Sequence, residues 1–122
     1  MGSSTACDPR AFLGRLRTVT DMLSWSAEDQ LAYLDGIGVP GLVDELALLF
    51  DDSMATVPAL SEDGLLCAEA NRALQKIDDA LGRMSGPQGP WDAESLATAP
   101  DWTTVRELAR AATGQLPAGA PP

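Results

Sequence analysis

Apolar residues recur every three or four positions along most of this chain, which is the spacing of one face of an α-helix. The longest such stripe runs from Leu66 to Met84, in steps of four, four, three, four and three residues. Alternation of apolar and polar residues, the pattern of a half-buried strand, does not occur over any useful length. The sequence therefore predicts an all-α fold, a single compact domain of five or six helices in an orthogonal or bundle-like arrangement.

Capping and breaking residues divide these stripes into elements. Asp and Ser accept the free N–H groups of a first helical turn, and Pro is tolerated at the first helical position. On this basis helices begin near residues 8, 26, 41, 61, 91 and 100, with a connection at 53–59 and a loop at 85–90. Leu60 and Leu65 have the spacing of a hydrophobic staple at the start of the fourth helix. The predicted domain spans residues 8–116, between disordered ends at 1–7 and 117–122.

Composition narrows the classes of function. The chain has 18 acidic and 8 basic residues, a formal charge of −10, which repels nucleic acids and anionic membranes and attracts basic protein surfaces. No stretch of about 18 apolar residues is present, as a membrane span requires, and the first residues lack the basic and apolar parts of a signal peptide. We therefore expect a cytoplasmic protein. One Lys against seven Arg, with abundant Ala, Gly and Pro, indicates a high-GC bacterial genome.

Most catalytic chemistry is absent from the sequence. There is no histidine, the commonest general base and zinc ligand, and no glycine-rich phosphate loop. The spacing of Cys7 and Cys67 fits no metal motif, and Cys67 is expected to be a small buried side chain. The adjacent acids Glu28-Asp29, Asp51-Asp52 and Asp78-Asp79 diverge by about 100° on a helix, so they do not converge on one ion. We expect no enzyme activity, no cofactor and no metal.

The acidic residues are unevenly distributed. No Lys or Arg lies between Arg17 and Arg72, whereas the longest helix places its own acids and bases at pairing distance. The only basic cluster, Arg10, Arg15 and Arg17, is expected to be a solvated helix face. Eleven acids occupy the base-free span: Asp21, Glu28, Asp29, Asp35, Asp44, Glu45, Asp51, Asp52, Glu62, Asp63 and Glu69.

The second and third helices therefore carry the unneutralised charge. In the third helix, Leu42, Val43, Leu46, Leu49 and Phe50 form the inward arc, and Leu48 lies among outward carboxylates. Such a leucine is either a binding anchor or an ordinary exposed apolar residue. Tyr33 lies off the apolar face of the second helix, as an interface tyrosine or a boundary residue. The predicted partner-binding residues are Glu28, Asp29, Tyr33, Asp44, Glu45, Leu48, Asp51 and Asp52.

Three tryptophans, Trp25, Trp91 and Trp102, stand at predicted helix starts. Large aromatic side chains at such positions commonly pack over helix ends. The alternative is an aromatic ligand pocket formed by Trp91 and Trp102 under the loop at residues 85–90.

Two stretches in the last two thirds of the chain carry a resemblance. They are the run Leu42–Asp52 and the series Met84-Ser85-Gly86, Trp91, Leu96, Pro100, Trp102, Val105-Arg106 and Leu108-Ala109-Arg110. Together they resemble a class of small bacterial proteins without a known activity. In character, an acidic helical protein with a tyrosine on its charged face is similar to bacteriocin immunity proteins, which cover basic toxins with acidic helices.

The leading hypothesis is an acidic protein-binding module, most concretely an immunity protein or antitoxin that neutralises a basic toxin or effector. The alternative is a structural or regulatory helical subunit whose acidity serves solubility. A small-ligand binder at the Trp91 and Trp102 end is a third reading. The sequence leaves the oligomeric state open.

Overall fold

The computed structural model describes residues 9–84 and 89–117, and within those ranges it contains helices and no strand. This confirms the predicted all-α fold. The predicted disordered N-terminus at 1–7, residues 118–122 of the predicted disordered tail at 117–122, and residues 85–88 of the predicted loop lie outside the described residues. The helices are α1 (Pro9–Leu23), α2 (Ala27–Gly36), α3 (Asp44–Met54), α4 (Val57–Glu62), α5 (Ala68–Arg83), α6 (Ala93–Thr98) and α7 (Pro100–Gln115).

Helix α7 makes the most extensive packing contacts of the described helices. α7 packs against α1, α5 and α6, and α1 packs in turn against α3 and α4. α3 also lies against α5, and α2 lies against α6. Buried apolar side chains from all of these helices form one cluster, in which Trp102 of α7 is fully buried. The apolar residues of the predicted stripe from Leu66 to Met84 are all buried. Together with the buried residues of α7, they form the central part of the core.

The chain around Gly64 ends a helix, whereas the sequence predicted a helix start nearby. Gly64 has a φ of +74°, and its N–H donates to the Ser61 carbonyl at 3.1 Å. The N–H of Leu65 donates to the Leu60 carbonyl at 2.9 Å. These two bonds form a Schellman motif, which usually pairs apolar residues at the same positions. Leu60 and Leu65 therefore cap the end of α4, and the predicted staple at residue 61 was wrong because α5 begins only at Ala68.

The third helix also starts later than predicted. Gly41 has a φ of +75°, a left-handed conformation that favours glycine, and the resulting turn delays the helix to Asp44. Leu42 lies in this turn and is 52% exposed, so its assignment to the inward arc was wrong. The other members of that arc are buried or half-buried: Val43, Leu46, Leu49 and Phe50.

A polar network crosses the apolar core. The side chain of Gln30 is fully buried, and its Nε2 donates to two backbone carbonyls at the end of α1, both at 3.1 Å. Its Oε1 accepts a 3.2 Å hydrogen bond from Nη2 of Arg106. Arg106 also donates to the carbonyls of Trp25, at 3.1 Å, and Leu96. The network therefore joins α7 to α2, to α6 and to the connection between α1 and α2.

Arg17 joins the first helix to the last. Its Nη1 donates to the Pro117 carbonyl at 3.0 Å and to the Leu116 carbonyl at 3.4 Å, just beyond the end of α7. The sequence grouped Arg17 with a solvated basic face. The expectation was wrong for this residue, because it is half-buried and donates to two backbone carbonyls beyond the helix end.

Cys67 is exposed, which contradicts the expectation of a buried thiol. It precedes α5 and caps it, because its Sγ accepts a hydrogen bond from the N–H of Ala70 at 3.4 Å. The expectation placed Cys67 inside an apolar helix, but α5 begins one residue later, at Ala68. None of the described helices is both long and apolar enough to cross a membrane.

Candidate functional site

Helix α3 forms one wall of a groove that encloses about 780 Å³. The C-terminal half of α5 forms a second wall, and residues 89–92 complete the lining. This groove is larger than the two others described below. We call it the acidic groove, and its lining residues are Asp44, Ala47, Leu48, Asp51, Asp78, Leu81, Gly82, Gly89, Trp91 and Asp92.

The periodicity of α3 brings three predicted contact residues onto this wall. Asp44, Leu48 and Asp51 follow each other at i, i+4 and i+7, which places them on one face of a helix. Leu48 is 53% exposed, as predicted for an outward leucine among carboxylates. From α5, Asp78 and Leu81 stand three residues apart and line the facing wall. An exposed apolar side chain thus lies between carboxylates from two helices.

The acidic groove is lined by four carboxylates and by no Lys or Arg among the described residues. Asp92 is the N-cap of α6. Its Oδ1 accepts a 2.7 Å hydrogen bond from the N–H of Ser95, and this bond lowers the pKa of the Asp92 carboxyl. No group of three Asp, Glu or Cys side chains in the described part of the chain could hold a metal ion. The four carboxylates therefore create a negative field along the groove rather than a chelating centre.

The predicted contact residues of α2 lie apart from this groove. Tyr33 is half-buried and packs edge-to-face on Trp25, with ring centroids 6.0 Å apart and an interplanar angle of 78°. Together with Asp29 and Ala32 they line a second groove of about 350 Å³. α2 packs against α6, whereas α3 packs against α1 and α5, so the residues of α2 do not reach the acidic groove and meet α3 only where Tyr33 lines a further groove with Asp52.

Asp52 faces a third groove, of about 450 Å³, whose lining includes Tyr33, Leu49 and Arg15. In the sequence, Arg15 precedes the base-free span. The packing of α1 against α3 nevertheless brings Arg15 into the lining of the same groove as Asp52. This side of the molecule therefore has a base in its lining, which the linear charge pattern did not predict.

Neighbouring acidic residues belong to different surfaces of the molecule. Successive helical residues point about 100° apart, so only one member of each adjacent pair lines the acidic groove. Glu28 and Glu45, both predicted contact residues, line none of the three grooves described here. The three pairs, with the groove member first, are Asp44 and Glu45, Asp51 and Asp52, and Asp78 and Asp79.

The tryptophans near the acidic groove differ in their access to it. Trp91 lines the groove and is half-buried. Trp102 is fully buried, and its Nε1 donates a 2.8 Å hydrogen bond to the Pro90 carbonyl. The two rings pack edge-to-face with centroids 5.7 Å apart. Trp91 alone therefore offers surface to a bound molecule, so the two tryptophans do not share the lining of this groove.

Seven lining residues were not among the predicted contacts: Ala47, Asp78, Leu81, Gly82, Gly89, Trp91 and Asp92. The helix stripe assigned Leu81 to the core, and Trp91 stood at a predicted helix start. Both assignments hold locally, since Leu81 is buried and Trp91 precedes α6. Their second role depends on the packing of α3 against α5, for which the sequence holds no local signal.

The chain matches no protein-family model, no curated protein and no solved structure. The resemblance to small bacterial proteins and to immunity proteins therefore stays a prediction, and the site has to be interpreted from its own residues.

Proposed function

We propose that this protein is an acidic binding module that covers a basic surface of another protein, and that it acts by masking its partner rather than by catalysis. A basic toxin or effector is the class of partner that such a module would neutralise. The observation that supports this proposal best is the acidic groove, in which an exposed Leu48 stands among carboxylates without a cationic neighbour in the lining.

The two kinds of residue have different roles in this proposal. Exposed carboxylates speed the encounter with a basic partner, because complementary fields steer diffusion. An apolar side chain that loses water at the centre of a contact holds the complex together. Leu48 is the anchor, and Asp44, Asp51 and Asp78 are the steering charges. Asp29 and Tyr33 of α2 belong to a separate contact at most, since they line another groove.

The chain supplies a matched pair of variants for testing this assignment. The groove variant combines Asp44→Asn, Asp51→Asn and Asp78→Asn. The control variant combines Glu45→Gln, Asp52→Asn and Asp79→Asn. Each loses three carboxylates from a formal charge of −10, so they differ in where the charge is removed and not in how much.

The partner would be captured from the native host by affinity purification, identified by mass spectrometry and then purified. Binding kinetics at several salt concentrations would follow. We expect the groove variant to slow association by about tenfold or more, because steering charges act mainly on the on-rate. The control variant should change it by less than about twofold. Leu48→Ala should raise the off-rate about tenfold, as a central anchor does.

The proposal fails if the purified partner is acidic, or if both variants weaken association equally. The latter result would mean that net charge alone drives binding. Thermal melts of all variants establish that the changes reflect binding, since every substituted side chain lies at the surface or its boundary.

A further inference from the structure

The acidic groove has an apolar interior as well as charged residues. Ala47 and Leu48 contribute carbon surface from α3, Leu81 contributes it from α5, and Trp91 contributes it from the segment before α6. Four aspartates stand among these side chains. A bare cation would gain nothing from the aliphatic part of this surface, whereas a side chain with an aliphatic stem and a cationic head would contact both parts.

The environment of Trp91 limits what its indole can offer. Its Nε1 donates a 2.9 Å hydrogen bond to the Met84 carbonyl, so the N–H is already occupied. Trp102 holds the ring by an edge-to-face contact at 5.7 Å. What remains for a ligand is the carbon surface of the ring, which attracts cations through its quadrupole.

We propose that the acidic groove binds an arginine side chain of the partner, together with the short stretch of backbone on either side of it. The volume of about 780 Å³ is larger than one side chain and lies within the range of peptide-sized ligands. This inference rests on the proposed function and names the chemistry of its contact.

Arginine fits the groove better than lysine for two physical reasons. Its planar guanidinium is weakly hydrated and stacks on aromatic rings, whereas an ammonium is compact and strongly hydrated. Its guanidinium can also donate two parallel hydrogen bonds to one carboxylate, and the groove has carboxylates on more than one wall. Its methylene stem would lie on Leu48, which is 53% exposed, where it replaces water at exposed carbon.

Four acetylated and amidated peptides test this assignment. Each has the sequence Gly-Ser-Gly-X-Gly-Ser-Gly, in which X is arginine, lysine, citrulline or norleucine. Citrulline is the control for shape, because it resembles arginine without the charge. Each peptide would be titrated into the ¹⁵N-labelled full-length protein, and the indole N–H signals in NMR spectra would report binding at Trp91, with Trp25 as an internal reference.

We expect the arginine peptide to shift the Trp91 signal saturably and the Trp25 signal little. The groove variant should weaken this binding by about tenfold or more, and the control variant by less than about twofold. The lysine peptide should bind several-fold more weakly, and the citrulline and norleucine peptides should produce no saturable shift.

Equal shifts from arginine and citrulline, or equal losses in the groove and control variants, would overturn the inference. Equal binding of arginine and lysine would overturn the choice of arginine. If the groove variant slows association with the partner more than the control variant does, but both variants bind the arginine peptide equally, this inference fails and the proposed function stands. If the peptides separate them but the partner does not, the proposed function fails and the arginine site stands.

Discussion

Replacing Arg106 with methionine would remove three partly buried hydrogen bonds while keeping most of the side-chain volume. The three acceptors are neutral oxygens, on Gln30 and on the carbonyls of Trp25 and Leu96. Hydrogen bonds from a charged donor contribute about 1.5–3 kcal/mol each, or about 5–9 kcal/mol for three. The desolvation of the guanidinium, which lowers the pKa of Arg106, offsets part of this. We expect a net loss of about 3 kcal/mol in the free energy of unfolding.

Urea unfolding followed by far-UV circular dichroism measures this loss directly. Arg110→Met is the matched control, because Arg110 is exposed one turn further along α7. A double-mutant cycle with Gln30→Ala isolates the contact between the two side chains, with an expected coupling of about 1 kcal/mol. A loss of less than about 1 kcal/mol for Arg106→Met, or one no larger than that of the control, would show that these bonds do not stabilise the fold.

Other predictions concern single side chains. Leu46→Ala should lower the free energy of unfolding by about 3 kcal/mol because Leu46 is fully buried. The exposed Leu48→Ala should lower it by less than about 1 kcal/mol. If thermal melts show a larger loss for Leu48→Ala than for Leu46→Ala, then α3 presents a different face to the core. Ser53 Oγ is buried without a hydrogen-bond partner in the described structure, so Ser53→Ala should leave the free energy of unfolding unchanged or raise it by about 1 kcal/mol. A clear loss would reveal a missing partner. The lowered pKa of Asp92 contributes stability above the ordinary aspartate value of about 3.9, and this is lost as pH falls through the folded-state value. Asp92→Asn should therefore flatten the acid side of the stability profile, and an unchanged pH titration of unfolding would contradict this.

The sequence predicted a helix start correctly where the capping residue is compatible only with a helix start. Ser26 caps α2 by accepting the N–H of Asp29 at 3.2 Å, Asp92 caps α6, and α7 starts at Pro100 as expected. In each case a side chain, or a fixed φ, determines the backbone within one turn of itself. Such interactions need no knowledge of the rest of the fold.

The pair Leu60 and Leu65 shows where local signals become ambiguous. Apolar residues five apart occur both at a helix start and at the Schellman end of a helix. The left-handed Gly64 between them distinguishes the two, because it ends α4 four residues before Ala68 begins α5. A glycine inside the supposed first turn was the available signal.

The acidic groove was predictable only on its α3 side. The pattern of α3 assigned five residues to the outward face, of which Asp44, Leu48 and Asp51 line the groove, whereas Glu45 and Asp52 do not. Nothing local indicated that Asp78 would face them, because the packing of α3 against α5 joins residues far apart in sequence. The same reason explains why Arg15 lines a groove with Asp52, although the linear charge pattern placed no base in that region.

The position of α7 at the centre of the packing has a consequence for synthesis on the ribosome. The chain is made from its N-terminus, yet α1 finds a principal partner, and Arg17 its two acceptors, only in the final helix and the residues just after it. Until α7 leaves the exit tunnel, the apolar faces of α1 and α5 that it covers remain in water. We expect this domain to fold only after α7 has emerged, with nascent chains that end before Pro100 open to chaperones and proteases.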